Sequence, residues 1–336
     1  MSSRPLVSVL LPYRDAASTL DEAIASVLAQ EDVELELVAV DDRSRDDGPA
    51  RVAAWATRDA RVRAVQSEGE GIVAALQTAV RHAEGPVLGR IDADDVALPQ
   101  RLARQLVLLA SDERLGAVGT LVEAFVTGGS VGAGLERYVA WQNSLVTPEE
   151  HARDRFVESP LCQPSMVLRR SAFDAVGGYR HTTWPEDYDL LLRLSAAGFT
   201  LAKVPEVLLR WRHHPERATC RDPRCAPARI VEAKAHYLAP ELTARGRPVV
   251  VWGAGQTGKR FARALEAHGV VIERFVDIDP RKIGRVARGR PVVAPAALPP
   301  AAFVVVALGA PGARVVVRAR LLAMGRVELR DFVCVA

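Results

Sequence analysis

The sequence predicts an α/β protein of two domains, each built on a parallel β-sheet. Short apolar runs alternate with amphipathic helical segments over the first part of the 336-residue chain, and the alternation restarts near Pro248. Such alternation indicates strands joined by right-handed helical crossovers, which place the strands parallel to one another. A chain of this length also exceeds one ordinary domain, so two hydrophobic cores are expected.

The composition divides the chain into three segments. Residues 1–218 are predicted to form the first domain, residues 219–246 a linker with one helix, and residues 247–336 a smaller α/β domain. The linker assignment depends on its high content of Arg, Pro and Ala. The predicted strands of the first domain lie at residues 6–12, 35–40, 61–65, 87–91, 117–125, 164–168, 199–204 and 207–211. Residues 138–160 show no periodic pattern.

Two of these predicted strands end in carboxylates. Asp41 and Asp42 follow one strand, and Asp92, Asp94 and Asp95 follow another. Ligands of open α/β sheets bind beyond the carboxyl ends of the strands, so this edge is the expected site. Crowded acids repel one another unless a cation neutralises them, and a hard divalent ion that bridges phosphates is the usual solution. The pattern predicts a metal–diphosphate site at Asp92 and Asp94; the alternative is a solvated acidic turn before a helix starting near Leu98.

A second pair of acids, Glu186 and Asp187, follows Pro185 and precedes an amphipathic run. Proline before acids is typical of a helix N-terminus. The two side chains therefore either complement the helix dipole or serve as functional groups.

The second domain opens with a glycine-rich turn. A strand at residues 248–252 leads into Gly253, Gly255 and Gly258, which form G-x-G-x-x-G, and Asp277 follows about 20 residues later. This is the dinucleotide-binding fingerprint, although many such folds keep the turn to bind another nucleotide or nothing.

Bulk properties exclude several classes of function. The net charge is only +3 and comes from scattered arginines, so no nucleic-acid partner is expected. No signal-peptide pattern and no apolar run of roughly 18 residues occurs, so we expect no transmembrane segment and at most a peripheral membrane association. The four cysteines are irregularly spaced, which favours a cytoplasmic location, with the inner face of the membrane as an alternative.

Six motifs occur in the order found in one known family. They are residues 8–15 (SVLLPYRD), 40–44 (VDDRS), 91–95 (IDADD) with 98–99 (LP), 177–179 (GGY), 186–189 (EDYD) and 211–214 (WRHH). In these motifs the first two-thirds of the chain resembles the family 2 glycosyltransferases, which are inverting enzymes with a GT-A fold. The resemblance implies a nucleoside-diphosphate sugar as donor, Mg²⁺ or Mn²⁺ as cofactor, and a saccharide, lipid-linked or protein acceptor.

The resemblance also implies a role for each matching residue. Asp187 would be the catalytic base, and Asp94, Asp92 and His214 would contact the metal. The residues implied on the donor side are Pro12, Tyr13, Asp15, Asp41, Asp42, Ser44, Arg90 and Asp92. The acceptor side would include Gln163, Trp184 and Glu186, although a tryptophan beside a helix start is more often a core residue.

The last 90 or so residues resemble the Rossmann-like nucleotide-sugar-binding domain of some bacterial sugar acetyltransferases. The likeness is carried by residues 276–279 (VDID), 282–284 (KIG) and 289–292 (GRPV). It implies a nucleotide pocket near Gly253, Gly255, Gly258 and Asp277.

These observations favour a metal-dependent, inverting glycosyltransferase of polysaccharide or glycoconjugate biosynthesis. One alternative is an NAD(P)-dependent oxidoreductase that acts through the C-terminal domain, although no Tyr-x-x-x-Lys or comparable hydride-transfer group follows Gly258. The other alternative is a non-catalytic nucleotide-sugar sensor. The presence of Asp92, Asp94, Asp187 and His214 together argues against it.

Overall fold

The structure is a computed structural model, and it describes residues 5–214, residue 217 and residues 222–336. The chain forms two compact units. Unit 1 comprises Met1–Ala152, Pro160–Thr182 and Glu186–Arg221, and unit 2 comprises Arg153–Ser159, Thr183–Pro185 and Asp222–Ala336. Unit 2 thus takes in most of the segment predicted as a linker, together with two short pieces from the first two-thirds of the chain.

Unit 1 is organised around an eight-stranded sheet. Its strands are β1 (Val7–Tyr13), β2 (Leu35–Asp41), β3 (Val62–Gln66), β4 (Val87–Arg90), β5 (Val96–Ala97), β6 (Leu115–Phe125), β7 (Val167–Arg169) and β8 (Thr200–Arg212). They lie in the order β3-β2-β1-β4-β7-β6-β8-β5. The first four strands are parallel as predicted, but the sheet is mixed, because β7 runs antiparallel to β4 and β6, and β5 antiparallel to β8.

Helices connect these strands. They are α1 (Leu20–Leu28), α2 (Gly48–Arg58), α3 (Ile72–His82), α4 (Arg101–Ser111), α5 (Ala133–Asn143), α6 (Pro148–Asp154), α7 (Arg170–Ala175) and α8 (Glu186–Ala196). The patternless residues 138–160 therefore contain the end of α5 and all of α6. The two strands predicted at residues 199–211 are one continuous strand, β8, whose pairing with β6 shifts register near Val204 and Val207. A proline between the two halves, Pro205, made them look separate in the sequence.

The hydrophobic core of unit 1 lies on both faces of the sheet. Val9 and Leu11 of β1 pack with Leu37 into one cluster, whereas Leu10 and Val38 pack into another. Alternate residues of a strand point to opposite faces, so a strand covered on both sides must be apolar throughout. This burial fixes β1, β2 and β4 rigidly and aims their carboxyl ends at one edge.

Unit 2 contains a six-stranded sheet in the order β11-β12-β10-β9-β13-β14. Its elements are α9 (Pro227–Ala244), β9 (Val249–Trp252), α10 (Gln256–Ala267), β10 (Ile272–Val276), β11 (Val286–Ala287), β12 (Arg290–Val293), β13 (Phe303–Val306), α11 (Ala313–Ala323) and β14 (Phe332–Cys334). All strands except β11 are parallel, and the chain winds outward from β9 in both directions. Among the residues described in both units, no helix is long and apolar enough to cross a bilayer.

Candidate active site

The loops that follow β1 and β2 are tied to each other at the carboxyl edge of the sheet. The Asp15 carboxylate accepts a hydrogen bond from Arg45 N at 2.6 Å, and Asp15 N donates to Ser44 Oγ at 3.0 Å. Ser44 N in turn donates to Asp41 Oδ1 at 3.0 Å. Asp15 has φ of 51°, a left-handed conformation that a short polar side chain tolerates. The structure therefore assembles Asp15, Asp41 and Ser44, which the sequence predicted as donor contacts, into one hydrogen-bonded frame.

Three other predicted donor residues, Pro12, Tyr13 and Asp42, lie at the ends of β1 and β2. Pro12 and Tyr13 are the last residues of β1, and burial together with Asp41 raises the pKa of Tyr13. Asp42 is buried and accepts a hydrogen bond from Gly71 N at 2.9 Å, so it holds the turn before α3. Burial raises the pKa of Asp42. Asp41 and Asp42 thus each accept one hydrogen bond from a loop backbone N–H.

Asp92, Asp94 and Asp95 form a tight carboxylate cluster between β4 and β5. One oxygen from each lies within 4.8 Å of the others. Because β5 pairs with β8, the end of β8 lies beside this turn, and His214 Nε2 is 2.9 Å from Asp94 Oδ2. Asp95 is fully buried and accepts a hydrogen bond from Arg212 N at 2.7 Å. The structure thus brings the predicted ligands Asp92, Asp94 and His214 together.

Three arginines surround the carboxylate cluster. Arg90, at the end of β4, is buried and places Nη2 2.6 Å from Asp92 Oδ1. Arg217 lies 2.9 Å from Asp92, 3.3 Å from Asp95 and 3.6 Å from Asp94. Arg101 is buried and close enough for the Asp95 charge to raise its pKa, although burial lowers that pKa more strongly. The cluster is therefore charge-compensated by the protein itself.

The residues of this cluster fit a hard divalent cation. Three carboxylates supply the oxygen ligands that Mg²⁺ and Mn²⁺ prefer, and the imidazole of His214 adds a nitrogen. Asp95 Oδ2 is buried and has no hydrogen-bond partner in the described part of the chain. Burial strongly raises the pKa of Asp95, and the guanidinium of Arg217 beside it opposes that rise.

Asp187 lies at the N-terminus of α8, where its Oδ1 accepts a hydrogen bond from Tyr188 N at 2.7 Å. Burial raises the pKa of Asp187 well above the usual aspartate value, and the charges of Glu186 and Asp92 add to the rise. Asp92 is thus near enough for its charge to raise the pKa of Asp187, as the smallest of these causes. A carboxylate with a raised pKa is a stronger base near neutral pH.

The predicted acceptor-side residues are Gln163, Trp184 and Glu186, and their assignment to an acceptor stays a prediction. Gln163 and Glu186 belong to unit 1, and the Gln163 Nε2 atom is buried without a hydrogen-bond partner among the described residues. Trp184 belongs to unit 2, where its ring centroid lies 5.3 Å from that of His236. In the sequence, one residue, Pro185, separates Trp184 from Glu186.

In unit 2 the glycine-rich turn connects β9 to α10. Gly253 has φ of 121°, and a Cβ at Gly258 would lie 1.8 Å from Gly253 O, so both positions require glycine. A Cβ at Gly255 would meet only Lys282 Nζ, at 4.0 Å. Asp277 is already engaged: its carboxylate accepts hydrogen bonds from Ala254 N at 2.8 Å and from Lys282 at 3.0 Å. Asp277 therefore holds the turn in place, and its predicted role in nucleotide binding stays a prediction.

Sequence reasoning missed one carboxylate of the cluster, Asp95, and the arginine beside it, Arg217. Asp95 was interpreted only as a residue near a helix start, but α4 begins later, at Arg101, and Asp95 points inward. The three acids within four residues were the available signal. Arg217 had no signal except its position three residues after His214.

Comparison with known proteins supports one family. Residues 8–177 match the model of Glycosyl transferase family 2. EpsE of Bacillus subtilis, named as a glycosyltransferase, is 32% identical over 218 residues, which cover 63% of this chain and 74% of that protein. The amylovoran biosynthesis glycosyltransferase AmsE of Erwinia amylovora is 26% identical over 207 residues, covering 61% of this chain and 75% of AmsE.

A solved structure agrees with the fold. The mannosyltransferase PcManGT from Pyrobaculum calidifontis, in complex with GDP-Man and Mn²⁺, superposes with a TM-score of 0.50 at 22% identity, covering 80% of this chain and 70% of that one. At this identity the likeness establishes the GT-A type of α/β fold alone. With the family match over half of the chain, it leads to one conclusion: the protein belongs to glycosyl transferase family 2 and is a glycosyltransferase.

Proposed function

We propose that this protein transfers a sugar from a nucleoside-diphosphate sugar to an acceptor hydroxyl with inversion, using a divalent metal and Asp187 as general base. The observation that carries the proposal is the convergence of four segments at one sheet edge: the carboxylate cluster, His214, the frame around Asp41, and Asp187 coupled electrostatically to Asp92. No single segment would specify this chemistry, but together they supply every group that it requires.

Departure of the nucleoside diphosphate builds negative charge on its phosphates. A Mg²⁺ or Mn²⁺ ion held by Asp92, Asp94 and His214 would supply Lewis-acid stabilisation of that charge. Arg90 orients Asp92 for this role, because its guanidinium fixes the Oδ1 atom at 2.6 Å. Arg212 fixes the same turn from the other side by donating from Nε to the Asp94 backbone oxygen at 2.8 Å.

The acceptor hydroxyl is a poor nucleophile near neutral pH. Asp187 would accept its proton during the attack, a contribution typically of about 10²–10⁴-fold. Its raised pKa suits it to this task, because a base whose pKa lies nearer the working pH abstracts a proton more effectively. One displacement with one general base inverts the anomeric centre, and no second carboxylate is required as a nucleophile.

The relatives suggest the kind of product. AmsE is named for amylovoran biosynthesis, so polysaccharide or glycoconjugate assembly is the proposed pathway class. PcManGT was solved with GDP-Man and Mn²⁺, which supports a sugar nucleotide and a divalent metal as the ligands to test first. The acceptor would be a saccharide or a lipid- or protein-linked glycan.

The test is a donor screen that measures release of nucleoside diphosphate from UDP- and GDP-sugars, with Mn²⁺ and with a chelator. We expect release from one donor, dependent on the metal. Asp187→Asn should lower the rate by about 100-fold or more while donor binding is retained, because only the proton acceptor is lost. Asp174→Asn serves as the matched control, since that carboxylate is exposed and only pairs with Arg170 at 3.8 Å.

Retention of more than about a tenth of the wild-type rate in Asp187→Asn would reject the base assignment. Release of no nucleoside diphosphate under any condition would favour the sensor alternative. Nucleotide-dependent change in nicotinamide absorbance would favour the oxidoreductase alternative, which family membership makes the weaker one.

For unit 2 we propose a nucleotide or nucleotide-sugar pocket at the turn that contains Gly253, Gly255 and Gly258. The open space above Gly255 at the start of α10, beside the Lys282 ammonium, supports the binding of a phosphate group. The titratable groups beside the turn, Asp277 and Lys282, pair with each other at 3.0 Å, so the proposed role is binding or regulation and not a second reaction.

A further inference from the structure

Arg217 lies against carboxylate oxygens that a metal bound by the cluster could use. Its guanidinium contacts all three carboxylates, Asp92, Asp94 and Asp95, and only 6% of its side chain is exposed. It also donates a hydrogen bond to the Arg212 backbone oxygen and lies 5.2 Å from the centre of the Trp211 ring. A guanidinium group does not lose its proton in proteins, so the side chain is a permanent cation.

A count of charges shows what a metal would change. Without a metal, the three carboxylates face three guanidinium groups, those of Arg90, Arg101 and Arg217, and the cluster is balanced. A divalent ion that joined this balanced set would leave a surplus of two positive charges. The diphosphate of a sugar nucleotide carries two negative charges and would restore the balance. Metal and donor are therefore expected to bind together more readily than the metal alone.

The metal and Arg217 cannot use the same carboxylate oxygens. Asp92 Oδ1 is held by Arg90, and Arg217 lies against Asp92 Oδ2, Asp94 Oδ2 and Asp95 Oδ1. A metal bound to these oxygens must displace the guanidinium, which then needs another anion nearby. The donor diphosphate is that anion, because arginine pairs with phosphate through two parallel hydrogen bonds.

We propose that Arg217 is a donor-binding residue that neutralises Asp92, Asp94 and Asp95 in the free enzyme and transfers to the donor diphosphate when a metal takes those carboxylates. This inference rests on the proposed function, because it assumes the metal–diphosphate site. It assigns to Arg217 two opposite effects: it opposes binding of the metal alone and favours binding of the nucleotide in the presence of the metal.

The test measures both effects on Arg217→Gln. The affinity for Mn²⁺ without nucleotide is measured by calorimetric titration. Arg217→Gln should bind Mn²⁺ about tenfold more tightly than the wild type if Arg217 occupies the carboxylates in about nine-tenths of the free wild-type molecules. Binding of UDP and of GDP, each titrated at saturating Mn²⁺, should weaken by about tenfold to a hundredfold for whichever nucleotide the wild type binds, since a charge-assisted hydrogen-bond pair is lost. A residue with a merely structural role would not move the two affinities in opposite directions.

The matched control is Arg210→Gln. Arg210 lies near the end of β8, its side chain is 42% exposed, and its printed ion pair is with Glu123 at 3.5 Å. Both affinities should be unchanged in this variant. Arg217→Lys keeps the charge without the planar fork, so Mn²⁺ binding should stay near that of the wild type while nucleotide binding weakens.

Thermal unfolding provides a second measurement that is independent of the binding titrations. Without a metal, Arg217→Gln leaves three neighbouring carboxylates short of one cation, so its Tm should be lower than that of the wild type, and saturating Mn²⁺ should narrow the gap. Equal Mn²⁺ affinity in the wild type and Arg217→Gln, or unchanged nucleotide affinity, would overturn the inference and leave the metal site intact. Failure of every variant to bind Mn²⁺ would overturn the inference and the metal-dependent function together.

Discussion

At the scale of single residues, the proposed base depends on its acidic neighbours. Glu186 precedes Asp187 in the first turn of α8 and is only 6% exposed. After burial, the Glu186 charge is the largest cause of the raised pKa of Asp187. A carboxyl group with a raised pKa is protonated, and therefore inactive as a base, up to a higher pH than an ordinary aspartate.

This coupling predicts how activity depends on pH. In the wild type, kcat/KM should fall as the pH drops through the pKa of Asp187, which burial and the Glu186 charge raise to about 7. Glu186→Gln removes one negative charge, so the pKa of Asp187 should fall and the acid limb should move to lower pH. Glu206→Gln, at an exposed site near Arg104, is the control and should leave the profile unchanged. An acid limb that does not move in Glu186→Gln would show that Asp187 is not the titrating group.

At the scale of elements, the turn between β9 and α10 shows two glycines with different roles. Gly258 lets α10 approach the strand, because any Cβ there would collide with the Gly253 carbonyl oxygen. Gly255 leaves open space at the helix N-terminus, where a phosphate would lie. Both glycines belong to one sequence motif, but Gly258 allows close packing of the helix and Gly255 leaves room for a ligand.

We therefore expect opposite results from two glycine substitutions. Gly258→Ala should destabilise unit 2 by about 1–3 kcal/mol or more, since the clash involves rigid backbone atoms. Gly255→Ala should leave Tm nearly unchanged but weaken nucleotide binding to unit 2, because its Cβ would fill only the open space. Differential scanning calorimetry and titration with dinucleotides and UDP-sugars would measure these effects. If nucleotides bind Gly255→Ala as they bind the wild type, the proposed pocket is absent.

At the scale of the whole molecule, the chain interlaces its two units. Residues 153–159 lie in the first half of the chain but pack in unit 2. Arg155 pairs with both Glu241 carboxylate oxygens at 2.9 Å, and Lys234 donates to Val157 O at 2.7 Å. Phe156 is 1% exposed. Unit 1 is therefore not expected to be an independent module even though it holds every proposed catalytic group.

A chain that ends at residue 221 tests this expectation. It would keep Asp94, Asp187 and His214 but expose Phe156, which alone costs about 1.5–3 kcal/mol, and leave Asp154 without Arg318. We expect a lower Tm, a tendency to aggregate and a large loss of transfer. Size-exclusion chromatography, thermal unfolding and the donor assay would report these properties. Full activity in the shortened chain would show that unit 1 and residues 153–159 do not need residues 222–336.

The sequence alone determined the α/β class, the parallel strands β1 to β4 and the acidic edge, because apolar runs and adjacent acids are local patterns. It also identified the family, since six motifs keep their order along the chain. Only the tertiary structure decided that β8 returns beside β5, which brings His214 and Arg217 to Asp94 from more than a hundred residues away. Strand pairing and charge compensation act between distant segments, so no local pattern records that Arg217 balances three carboxylates.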